Sequence, residues 1–173
     1  MRKSYVILIY VLVLLLGAIG VSTLVWNDID DNTMTQENYN NYLSYKSLLL
    51  NQEEYSSGSK DIDVVVNVQK NEIKNKYLVS TTFSNPARNY RNLIILVIDM
   101  SELNNQTNKI YPSLGIVGDF NNEFVKSNPN KKTTHSKLSL NYECDVASKG
   151  VLIYFEYLDD AKTCISYLNV SVN

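Results

Sequence analysis

The spacing of hydrophobic positions changes twice along this chain. Residues 5–26 form an apolar run with no charged residue. From Thr33 to about Gln52 the apolar positions move to three-four spacing, with Tyr39, Tyr42, Leu43, Lys46, Leu49 and Leu50 on one side and Asn38, Asn40, Asn41 and Ser44 off it. That spacing predicts an amphipathic helix, and Thr33 with Gln36 fits a capping box at its start. From Asp61 onward the period is two. Ile62, Val64, Val66 and Val68 alternate with Asp63, Val65, Asn67 and Gln69, and Tyr77, Val79, Thr81 and Phe83 repeat the pattern. Residues 93–98 are continuously apolar, as in a strand covered on both faces. A strand is also expected over residues 110–120, where the interruptions at Pro112, Gly115 and Gly118 suggest an edge or a bulge. Residues 138–144, 151–158 and 165–172 complete the set.

About seven short strands, separated by polar turns and with no crossover helix between them, predict an all-β, antiparallel, immunoglobulin-like sandwich. The expected division is a basic start at 1–4, a transmembrane anchor at 5–26, a linker and amphipathic helix at 27–60, and a sandwich domain at 61–173. Ser56, Ser57, Gly58 and Ser59 form a flexible joint in this reading.

About 20 apolar residues in a helix cross the ~30 Å hydrocarbon core. Arg2 and Lys3 precede the run, and Asp28, Asp30 and Asp31 follow it. This asymmetry places the N-terminus inside and the remainder outside a cell membrane. A cleaved signal peptide is the alternative, with Ala18-Ile19-Gly20 as the small-residue cut site. Continuation of the apolar run to an interfacial Trp26 favours the uncleaved, single-pass form.

Composition refines this picture. The net charge is −2, so no global basic field argues for nucleic acid. There are 13 Tyr against 4 Phe and 1 Trp. This bias fits an AT-rich bacterial genome, and a Tyr-rich binding surface is the functional alternative. Cys144 and Cys164 are a disulfide candidate in an exported domain, with two buried thiols as the alternative.

If each strand reverses the last, the loops at 85–92, 121–134 and 159–163 gather at one end. They bring together Arg88, Tyr90, Arg91, Lys126, Lys131 and Lys132, with His135 and Lys137 beyond. This cluster is the candidate contact for an anionic lipid or wall polymer, because cations near an anionic surface act together. An envelope protein is a further candidate partner.

The chain carries a single His, no G-x-S-x-G or H-E-x-x-H and no phosphate-cradling Gly loop. Asp28, Asp30 and Asn32 begin a calcium-loop spacing, but Thr33 replaces the required Gly and Tyr39 the terminal Glu. Asp159-Asp160 and Glu53-Glu54 are carboxylate pairs that a glycosidase could use, but neighbouring acids in turns are ordinarily solvated. No catalytic residue, metal site or cofactor is therefore assigned.

The layout resembles the immunoglobulin-like modules displayed by many Gram-positive anchored proteins. It is also similar to a minor pilin, with a basic start, an apolar helix, an amphipathic continuation and a β domain with two late Cys. It lacks that family's Gly-Phe processing site and early Glu, and the acidic break at 28–32 interrupts the helix. The expected role is a non-catalytic binding or scaffold module of a bacterial cell envelope.

Overall fold

The computed structural model describes residues 34–117, 121–126 and 133–172. The expected membrane span, its basic start, the acidic break, Thr33, Lys131 and Lys132 lie outside the described residues. Among the described residues, no helix is long and apolar enough to cross a membrane.

Helix α1 spans Gln36–Leu50 and begins at Thr35, whose hydroxyl accepts the Asn38 N–H at 3.2 Å. The cap therefore falls two residues after the position expected. A side-chain oxygen here satisfies one of the donors that a helix start leaves open. Tyr42, Lys46 and Leu49 are buried, at the three-four spacing of one helical face, while Leu43 stays exposed.

The rest is mostly β structure in antiparallel sheets, consistent with an all-β sandwich. The long strands are β1 (Asp63–Asn71), β2 (Lys76–Ser84), β3 (Arg91–Asp99), β7 (Lys137–Cys144), β8 (Gly150–Asp159) and β9 (Lys162–Ser171). Two-residue strands lie between them: β4 (Ser113–Leu114), β5 (Glu123–Phe124) and β6 (Thr134–His135). One sheet has the order β1-β2-β7 and the other β4-β3-β8-β9, while β5 and β6 form a short parallel pair.

Residues of one parity fill the space between the sheets. Val66, Val79, Phe83 and Leu140 come from the first sheet; Ile95, Val97, Ile153 and Phe155 come from the second. The rings of Phe83 and Phe155 stack across the interface at 6.5 Å. Residues of the other parity on β3 and β8 are buried too, because α1 lies over the outer face of the second sheet. There the Tyr45 ring meets the Tyr154 ring edge-on at 5.1 Å. Residues 93–98 are uniformly apolar because they are covered on both sides.

A buried ionic knot ties α1 to the chain after β3. Lys46 Nζ lies 3.3 Å from Glu102 and donates to the Thr107 carbonyl at 2.6 Å. Glu102 also accepts from the Thr107 N–H, the Thr107 hydroxyl and the Tyr111 hydroxyl. Burial works against ionisation of Glu102, and these donors together with Lys46 outweigh it, holding the carboxyl below its ordinary value. The Tyr42 hydroxyl accepts the Tyr111 N–H at 2.8 Å.

Three expectations need correction. Among the described residues of the strand expected over 110–120, ladder pairing with β3 is confined to Ser113 and Leu114 at the edge of the sheet, with one further bond from the Val97 N–H to the Pro112 carbonyl at 3.2 Å. Pro112 has no N–H to donate, and Gly115 turns the chain away at φ +75°. A Cβ on Gly115 would stand 2.4 Å from the Leu93 carbonyl oxygen.

The serine-glycine joint is pinned at its first residue. Ser56 donates to the Tyr167 carbonyl at 3.0 Å and accepts from the Asn169 N–H at 2.8 Å, adding a parallel bridge to the outer edge of β9.

The proposed Cys144–Cys164 disulfide is absent, and both thiols are free and half-buried. Cys144 ends β7 opposite Tyr77, whereas Cys164 begins β9 opposite Tyr157. Cys164 is seven positions along β9 from Ser171, the end of the sandwich where Cys144 lies. At about 3.3 Å per residue this separation is over 20 Å. A disulfide needs Cα atoms within about 7 Å. Period-two alternation placed both side chains on inward faces but carries no information about which end of the sandwich each occupies.

Candidate functional site

The antiparallel order brings the ends of β2, β8 and the segment after β4 together with the starts of β3, β7 and β9. The three loops singled out from sequence meet here through backbone and side-chain bonds. Tyr90 exchanges two hydrogen bonds with Phe124, at 2.8 and 2.9 Å. The Lys126 N–H donates to the Asn89 side-chain oxygen at 3.1 Å. Arg88 reaches across to Asp159 at 2.9 Å, joining the first loop to the β8–β9 turn. The turn itself reverses at Asp160, which adopts φ +52°.

Asp61 is the keystone beneath these loops. Its side chain accepts from the Tyr157 hydroxyl at 2.9 Å, and its carbonyl accepts from the Tyr90 hydroxyl at 3.1 Å. The Tyr90 and Tyr157 rings pack 4.2 Å apart. Burial raises both phenols above their ordinary value, and the Asp61 charge adds to the shift. They are neutral hydrogen-bond donors, not proton carriers at neutral pH.

The eight sequence-derived contact candidates divide by burial. Arg91, Lys126 and Lys137 are exposed at this end, and Arg88 is exposed but paired with Asp159. Tyr90, expected on the surface, is 0% exposed and belongs to the core. His135, expected in a solvated loop, is 5% exposed on β6, with Nε2 3.4 Å from the Asn122 side-chain oxygen. Burial lowers its pKa. Lys131 and Lys132 lie outside the described residues. Acids share the surface with these cations: Asp63 accepts from Asn85 at 2.8 Å, and Asp159 holds Arg88. The field of the described residues is thus mixed in sign.

Beside this end, on the outer face of the second sheet, a groove of about 260 Å³ is lined by Asn92, Ile94, Asn121, Glu156, Tyr157, Leu158 and Thr163. Asn92 adopts φ +50°, where the pairing of β3 with β8 shifts register between Arg91 and Ile94. Such an irregularity re-aims side chains next to a site. Glu156 was not singled out from sequence, although it is the one charge within the apolar run 151–158. Among the described residues, no group of three or more potential ligands is arranged to hold a metal ion.

No family model matches the chain, and no curated protein or solved structure matches it. A functional reading therefore rests on the surface chemistry of this end of the molecule.

Proposed function

We propose that this chain is a membrane-anchored, extracytoplasmic module of a bacterial cell envelope, immunoglobulin-like in layout, which binds or scaffolds without catalysing a reaction. The observation that carries the reading is the joining of three loops into one surface by the Tyr90–Phe124, Lys126–Asn89 and Arg88–Asp159 contacts. Loops held on a rigid double sheet are the usual recognition surface of such scaffolds. The exposed Arg91, Lys126 and Lys137 give that surface cations for an anionic lipid or wall polymer. Each adds about 1 kcal/mol near an anionic membrane. The apolar segment at 5–26, preceded by Arg2 and Lys3, supports the anchor and its orientation.

Two measurements test this reading. Protease added to intact cells should digest the β domain without lysis; protection until lysis overturns the placement. Charge reversal at Arg91, Lys126 and Lys137 should weaken sedimentation with anionic vesicles at least tenfold at low salt. Equal binding by the reversed protein removes the anionic partner from the reading.

A further inference from the structure

The groove beside the loop end carries a chemistry that the basic loops do not. Register places Ile94, Glu156 and Ile165 in one cross-strand row on the outer face of the second sheet. The next row toward the sheet centre is Leu96, Tyr154 and Tyr167, and α1 covers it through Tyr45. Toward the loops lie Leu158 and Thr163. The carboxylate of Glu156 thus stands between two isoleucines and beside a tyrosine cluster, where α1 no longer covers the sheet. Ile165 is 48% exposed.

Glu156 is half-buried, and the Tyr154 hydroxyl donates to it. Among the described residues it belongs to no ion pair, although five other acids there do: Glu102, Glu72, Glu143, Asp145 and Asp159. A carboxylate flanked by hydrocarbon loses part of its hydration and gains most from a cation that brings its own apolar stem. Half-buried Tyr45 and Tyr167 pack on the Tyr154 ring in the adjoining row, and aromatic rings favour cations nearby. Asn92, Asn121 and Thr163 also line the groove, and side chains of these types can hydrogen-bond a neighbouring amide.

We propose that this groove binds a primary ammonium carried on an unbranched aliphatic stem. The ammonium pairs with Glu156, and the stem lies on Ile94, Leu158 and Ile165. The inference goes beyond the envelope-module reading and stands on the groove alone. The same chemistry occurs in a lysine side chain of a peptide and in a free diamine, and the experiment separates them.

The full-length chain in detergent micelles, labelled at isoleucine methyls, is titrated with cadaverine, with N-acetyl-lysine-N-methylamide and with the norleucine analogue. The Ile94 and Ile165 methyl signals should shift and saturate with an amine and not with norleucine. Glu156→Gln should weaken that binding at least tenfold while other methyl signals keep their positions. Ile165→Lys, which tethers an ammonium opposite Glu156, should also abolish it. Saturation with the lysine amide alone assigns the ligand to a peptide; saturation with both amines assigns the ammonium group itself. No saturable shift with either amine, an equal shift with norleucine, or unchanged affinity in Glu156→Gln overturns the proposal.

Discussion

At the scale of single residues, the buried charges carry the sharpest expectations. Lys46 has no aqueous alternative once α1 is docked, so its ion pair with Glu102 behaves as a buried one. Lys46→Met should destabilise the domain by about 3 kcal/mol, near the low end for a broken buried pair, because Glu102 keeps Thr107 and Tyr111 as donors. Glu102→Leu should cost more, since it leaves the Thr107 N–H and hydroxyl and the Tyr111 hydroxyl without their acceptor and the buried Lys46 charge with only backbone carbonyls. Urea unfolding of the two variants checks that order. Sequence periodicity placed Lys46 on the inward stripe but could not supply its partner, which lies 56 positions away by residue number (102 − 46).

His135 makes the domain sensitive to mild acid. Burial depresses its pKa, so the unfolded chain takes up the proton more readily than the folded one. Stability is fully present above about pH 6.5, the ordinary histidine value, and falls as pH drops through the folded value. His135→Gln should flatten the dependence of Tm on pH between 7 and 5. A separate loss belongs below about pH 4, the ordinary carboxylate range. There Asp99 and Glu102 take up protons. Burial opposes their charge, but hydrogen bonds from Ser101, Ser148 and Tyr142 to the first, and from Thr107 and Tyr111 to the second, hold both carboxyls low in the fold.

At the scale of elements, six long strands and the helix were legible because burial on one or two faces writes a period into the sequence. Val64, Val66 and Val68 show it on β1, and the unbroken run at 93–98 shows a strand enclosed between a sheet and a helix. The segment 110–116 misled because it is almost wholly buried yet scarcely paired. Burial without a ladder looks the same in composition as burial within one. Gly115 marks the difference: Gly115→Ala requires both a left-handed backbone for a residue with a side chain and an impossible approach to the Leu93 carbonyl. Its expected cost is at least about 2 kcal/mol, of the order seen for overpacking. Thermal melts of this variant beside Gly58→Ala, where nothing lies within 4 Å of the added carbon, give the comparison.

At the scale of the whole molecule, the meeting of the three loops was foreseeable from strand reversal alone, but the accessibility of their residues was not. Tyr90 turns inward because Phe124 and Tyr157 approach from segments distant in the chain, and His135 because the start of its own loop returns to set Asn122 beside it. The cysteines illustrate the same limit. With thiols at opposite ends of the sandwich, dithiothreitol should leave Tm unchanged, and reduced and unreduced protein should migrate alike on denaturing gels. A mobility shift at monomer mass would mean that the two sulfurs meet.

The Ser56 bridge has a bearing on where this folding unit starts. Ser56 seals part of the β9 edge, and the preceding helix shields Leu96, Leu152 and Tyr154. A shortened polypeptide beginning at Asp61 retains every long strand yet bares an oily sheet surface and an open row of peptide groups, the combination that drives strand-to-strand clumping. It should be recovered in inclusion bodies, whereas a polypeptide beginning at Met34 should stay dispersed. On that expectation the smallest autonomous unit begins at the helix, not at the first strand.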